Sequence, residues 1–135
     1  MPIPVKEGLS PLIQVFDMPT SVRFYRDILG FTVVNNSPER GPDDFDWCML
    51  RNSDAMLMLN TRFEYDSRPP SADPAHTAAH DDTCFYIGCP DIDAAYTHLQ
   101  SMGVECRPPK IAPYGFKQIY LHDPDGFNLC LQWTV

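Results

Sequence analysis

Several titratable side chains stand close enough in sequence to do chemistry. Tyr120 and His122 are two residues apart in an alternating run, so they share one face of a strand and form an acid–base pair. His122 also abuts the turn Asp123-Pro124-Asp125-Gly126, where its first reading is a brace for Asp123. His76 and His80 precede Asp81 and Asp82. Those residue types bind metals, but their polar, proline-rich setting reads as solvated loop. The run Asp43–Asp46 (DDFD) reads as a solvated strand entry that would attract a cation, and Arg62 and Lys117 are candidate anion anchors. The five cysteines are odd in number and none stands in a C-x-x-C pair, which excludes a zinc finger and a disulfide framework.

These groups need elements to position them. Leu9–Phe16 reads as a strand. Thr20–Leu29 carries apolar residues at helical spacing, with Asp17 or Thr20 as N-cap and Gly30 as the left-handed residue that ends it. Phe31–Asn35 is a strand, and Phe45–Arg51 and Ala55–Asn60 form a hairpin. Thr83–Cys89 then reads as a strand and Asp91–Met102 as a helix that Gly103 closes. A strand starts at Val104–Arg107, Pro108–Gly115 is a loop, and Phe116–His122 and Phe127–Thr134 pair around the D-P-D-G turn.

The same βαβββ order therefore occurs twice, about 74 residues apart. The reading is one α+β domain over 1–135, with a first module at 9–64 and a second at 83–135. Between them, 65–82 is a linker, or a flap over a site.

DMPTSVRFYRDILGF (from Asp17), CPDIDAAYTHLQSMGV (from Cys89) and HDPDGFNLCLQW (from His122) resemble, in this order, the motifs of the vicinal oxygen chelate superfamily. That group includes glyoxalase I, bleomycin-resistance proteins and extradiol dioxygenases. The resemblance implies two βαβββ modules whose curved sheets surround a cavity, and frequently a homodimer. It implies nothing definite about the reaction, because this fold hosts many chemistries.

Metal-dependent members carry one ligand on each of four strands, mostly His, Glu or Gln. Carried over position by position, the resemblance puts Ser10, Met58, Cys84 and Cys130 there. None is an imidazole or a carboxylate, so no metal or other cofactor is expected. The two thiols instead form a candidate soft-metal or reactive-thiol site, or pack as small hydrophobes.

If Cys130 faces the cavity, alternation places Asn128 and Gln132 beside it and sends Leu129, Leu131 and Trp133 under a helix. The same parity puts Gln118, Tyr120 and His122, and Tyr86 with Cys84, on the cavity side. In the first module it selects Gln14, Trp47, Met56, Met58 and Asn60. No carboxylate is expected beside Tyr120 and His122 on this face. An aromatic, Met-rich, amide-bearing lining suits a mostly apolar ligand oriented by a few hydrogen bonds.

The expected function is metal-free binding of a small, mostly apolar or cationic organic molecule, as in the bleomycin-resistance branch. An enzyme is the competing class, a glyoxalase-like lyase or dioxygenase with a non-standard metal or with Tyr120 and His122 as acid and base. The net charge of −8 argues against nucleic acid and anionic membranes as partners and leaves room for a cation. No apolar run is long enough to span a membrane, and MPIPVKEGLS lacks the pattern of a signal peptide. The expectation is a cytoplasmic protein with reduced thiols.

Overall fold

The computed structural model describes residues 2–6 and 8–135. The chain forms an α+β fold of two βαβββ modules, each built on one four-stranded sheet. Its contacts divide it into two compact units, 1–68 and 69–135.

In the first unit, β1 (Leu12–Val15) leads into α1 (Met18–Arg23), and β2 (Thr32–Asn36), β3 (Trp47–Asn52) and β4 (Ala55–Thr61) follow. The sheet order is β1-β4-β3-β2, and β1 lies parallel to β4. β1 is shorter than the expected Leu9–Phe16, and Ser10 falls before it. Pro11 has no N–H to give the ladder and contributes only its carbonyl, which accepts from Met58 N at 2.8 Å.

Asp17 caps α1 by accepting from Thr20 N. The helix continues as a π-turn over Phe24–Ile28, closed by Leu29 N donating to Phe24 O. A wider turn brings successive side chains nearer one face, and both Phe24 and Tyr25 are buried there. Gly30 ends the helix at φ 81°, the left-handed region expected of it. α1 covers one face of the sheet, so Ile13, Val15, Cys48, Leu50, Leu57 and Leu59 are buried in strict alternation.

The second unit opens on α2 (Pro74–Ala79) and a 3₁₀ turn at His80–Asp82. β5 (Cys84–Gly88), α3 (Ile92–Ser101), β6 (Lys110–Ile111), β7 (Phe116–His122) and β8 (Asn128–Thr134) follow. The sheet order is β5-β8-β7-β6, with β5 parallel to β8. Asp91 caps α3 through Ala94 N at 3.0 Å, and Leu99 packs with Ile119, Leu121, Leu129 and Leu131 in the core.

Two expectations are corrected here. No strand starts at 104–107; pairing begins at Lys110, opposite Gln118. Pro108 and Pro109 have no N–H, so a ladder can form only beyond them. Trp133 is not covered by α3. It is 46% exposed at the far end of β8, with its ring against Gly88.

The 74–82 segment is structured. His80 stacks on Phe127 at 3.9 Å, and its Nδ1 lies 2.7 Å from the carbonyl of Asp125. No helix among the described residues is long and apolar enough to cross a membrane.

Candidate functional site

Each sheet leaves one face without a helix. In the first unit that face follows from register. Gln14 lies beside Asn60 and Trp47, and Leu12 beside Met58 and Met49. Leu12 and Gln14 are exposed, and Met56, Met58, Asn60, Trp47 and Met49 are half-buried.

The acidic run in this unit is already neutralised. Asp43 takes both guanidinium nitrogens of Arg26, and Arg40 holds Asp44 and Asp46. A small hollow of about 110 Å³ contains Arg40 and Arg68. Arg40 covers the Tyr65 ring, and Arg68 pairs with Asp17, so neither cation is free for a ligand. Arg62 lies over Phe63.

The open face of the second unit is more regular. Its three rows are Cys84–Asn128–His122, Tyr86–Cys130–Tyr120 and Gly88–Gln132–Gln118. Cys130 is fully buried between two tyrosines whose hydroxyls meet at 3.0 Å. Burial pushes the Cys130 thiol up to about 11; the Tyr120 hydroxyl opposes this and neighbouring Cys84 adds to it. Burial raises Cys84 as well. The Tyr86 hydroxyl, then desolvation and Cys130, hold the Tyr120 phenol well above its ordinary value. At neutral pH all three are protonated: Tyr120 is a hydrogen-bond donor rather than a base, and neither thiol is a ready nucleophile.

Gln118 is buried, and its amide nitrogen donates to Tyr114 Oη at 2.8 Å and to Gln132 Oε1 at 2.9 Å. The Gln132 amide nitrogen is left as a donor without a partner among the described residues.

An open cleft of about 810 Å³ is lined by β7 and by the 104–110 segment, which joins the sheet at Lys110. Gln118, Tyr120 and His122 line it from β7, Lys110 from the neighbouring strand β6, and Glu105 and Arg107 from the irregular segment before β6. The segment's cationic residues have no counterpart in the strand-parity reading, because 104–110 is largely irregular. Lys117 is not in the cleft, being bound to Asp93 of α3 at 2.8 Å.

Two histidine expectations change. A carboxylate does reach His122: Asp81, from the 3₁₀ turn, lies 3.5 Å from its Nε2. Hydrogen bonds from Asn128 and then His122 hold Asp81 below the usual carboxylate range. Nor does His122 brace the turn. Asp123 does so itself, accepting from Asp125 N and Phe127 N at 2.9 and 3.0 Å, with His80 seated on the outside. His80 is therefore a packed, hydrogen-bonded residue and not a solvated one.

A sequence model of the Glyoxalase/Bleomycin resistance protein/Dioxygenase superfamily matches residues 9–131. The chain belongs to that superfamily. An uncharacterized Escherichia coli (strain K12) protein, YaeR, is 32% identical over 114 residues, which is 84% of each chain. The antibiotic-binding protein TnmS3 from Streptomyces sp. CB03234 has the same fold, with TM-score 0.69 at 24% identity, over 100% of this chain and 99% of that one. A bleomycin-binding protein solved with bleomycin superposes with TM-score 0.68 at 21% identity, over 96% of this chain and 100% of that one.

The superfamily's metal positions can now be tested against the residues present. Ser10 offers a neutral hydroxyl, Met58 a thioether, and Cys84 and Cys130 protonated thiols. This set does not fit the hard or borderline divalent ions that the superfamily's enzymes use. Among the described residues, no three His, Cys, Asp or Glu side chains converge to hold a metal.

Proposed function

We propose that this superfamily member is a metal-independent binding protein for a small, mostly apolar organic molecule. The observation that carries the reading is the cleft on the second sheet. It is lined by the Tyr120 ring and the Gln118 amide, which Tyr86 and Gln132 on the same sheet hold by hydrogen bonds. Rings supply stacking and apolar area, and pre-set amides fix orientation at little entropic cost. In the first unit, Gln14, Trp47, Met58 and Asn60 form a second surface of the same character.

The chemistry of the superfamily's ligand positions supports binding over catalysis. A protonated Tyr120 favours holding a ligand oxygen by hydrogen bonding over abstracting a proton. The two fold neighbours that bind antibiotics lend the ligand class support at the level of fold. We read the chain as one cytoplasmic domain acting as a homodimer, with its five cysteines free.

The test is saturable quenching of Trp47 and Trp133 fluorescence by bleomycin-type or planar aromatic compounds. Tyr120→Ala should weaken binding by about tenfold, the size of one lost aromatic contact with its hydrogen bond. Absence of saturable quenching across such compounds would remove the reading.

A further inference from the structure

The chain as a whole is acidic, yet its cleft is not. The 69–135 unit holds three cations, Arg107, Lys110 and Lys117. Lys117 is committed to Asp93 on the helix side. The other two both line the cleft, and among the described residues neither has an ion-pair partner. One carboxylate, Glu105, lines the same cleft, and Asp81 is occupied by Asn128 and His122. In the first unit Arg26, Arg40 and Arg68 neutralise neighbouring acids, whereas Arg51 donates to the Ser53 carbonyl and Arg62 lies over Phe63. Two cations without an ion-pair partner among the described residues line one cleft with the neutral side chains of Gln118 and Tyr120, and that makes an anion-accepting arrangement.

We infer that the cleft selects an aromatic ligand bearing an anionic group, a carboxylate or phenolate, with the ring toward Tyr120 and the anion toward Arg107 and Lys110. This rests on the binding reading above and sets the charge of its ligand. The overall charge of −8 does not oppose it, because exposed charges more than about 8 Å away are screened at physiological salt. Near the cleft the local cations dominate. Tyr120, which lines the cleft, stays protonated and donates to the ligand instead of repelling it.

The experiment is calorimetric titration of the full chain with naphthoate, naphthamide and naphthamidine, which share a ring system and differ in charge. Naphthoate should bind at least about tenfold more tightly than either of the others, the size of one charge-assisted hydrogen bond. High salt should reduce that advantage. The exposed double substitution Arg107→Met/Lys110→Met should abolish it, leaving naphthoate within about twofold of naphthamide on the same variant. Naphthamidine binding as tightly as naphthoate, or a double variant that keeps the preference, overturns the charge assignment. Naphthamide binding without any charge preference would do so while leaving the binding reading intact. If none of the three binds, the binding reading fails and the charge assignment fails with it.

Discussion

Gly126 closes the D-P-D-G turn at φ 86°, and a Cβ there would lie 2.7 Å from the backbone oxygen of Thr77 and 2.8 Å from its Cγ2. Two costs add in Gly126→Ala. The left-handed conformation costs an L-residue roughly 1–2 kcal/mol. The clash costs roughly another 1–3 kcal/mol, because a backbone oxygen on α2 cannot rotate away as a side chain can. We expect a loss of about 3 kcal/mol, or roughly 10 °C in Tm. Gly126→Asn separates the two costs, since Asn tolerates the left-handed region but still carries a Cβ. It should be within about 1 kcal/mol of the Ala variant if the Thr77 contact dominates. Urea unfolding gives the free energies, and hydrogen exchange gives the location. Amides of 74–82 should lose protection first, because His80 is seated on the same turn. An Ala variant as stable as the parent, or an Asn variant that recovers nearly all the loss, would refute the close approach of α2 to the turn.

Two further perturbations test the rest of the scaffold. Asp17→Ala removes the α1 cap and the Arg68 partner and should cost about 1–2 kcal/mol by urea unfolding. Burial pushes the Asp17 carboxyl up, but hydrogen bonds from Thr20 and Arg68 outweigh it and hold the carboxyl below 3.8. Its contribution is therefore full above the unfolded value and disappears as pH falls through the folded one, and the Ala variant should lack that part of the acid loss. Cys48 is fully buried, and burial pushes its thiol from 9.0 up to about 12. The unfolded thiol ionises first, so Cys48 by itself should lower stability by about 1.4 kcal/mol per pH unit above roughly pH 9, with the other buried thiols adding to the fall. Cys48→Ala should flatten that slope by the same amount, measured against the parent at each pH.

The two modules were legible because their signals are local. Asp17 and Asp91 announce helix starts, Gly30 and Gly103 the ends, and the alternation of β1 and β4 sorts buried from open faces. What was not legible depends on partners distant in sequence. Asp81 reaches His122, and His80 reaches Asp125 and Phe127, across more than 40 residues, with no periodicity to mark them. β6 was misplaced because prolines remove donors, a constraint that acts on the ladder and leaves the hydrophobic pattern unchanged. Lys117 looked available until Asp93 of α3 packed over it. For the candidate site, parity identified which residues share the open face. The contribution of Arg107 and Lys110 depends on how the irregular segment before β6 runs beside β7, which no periodicity marks.

The central claim is that this member of the superfamily binds a small organic molecule without a metal. The most direct measurement is tryptophan-quenching titration with one planar aromatic ligand, made on the protein before and after exhaustive chelation and with metal content measured on both samples. Metal-free binding gives one saturable isotherm, unchanged by chelation. Binding lost on chelation and restored by a divalent ion would contradict it.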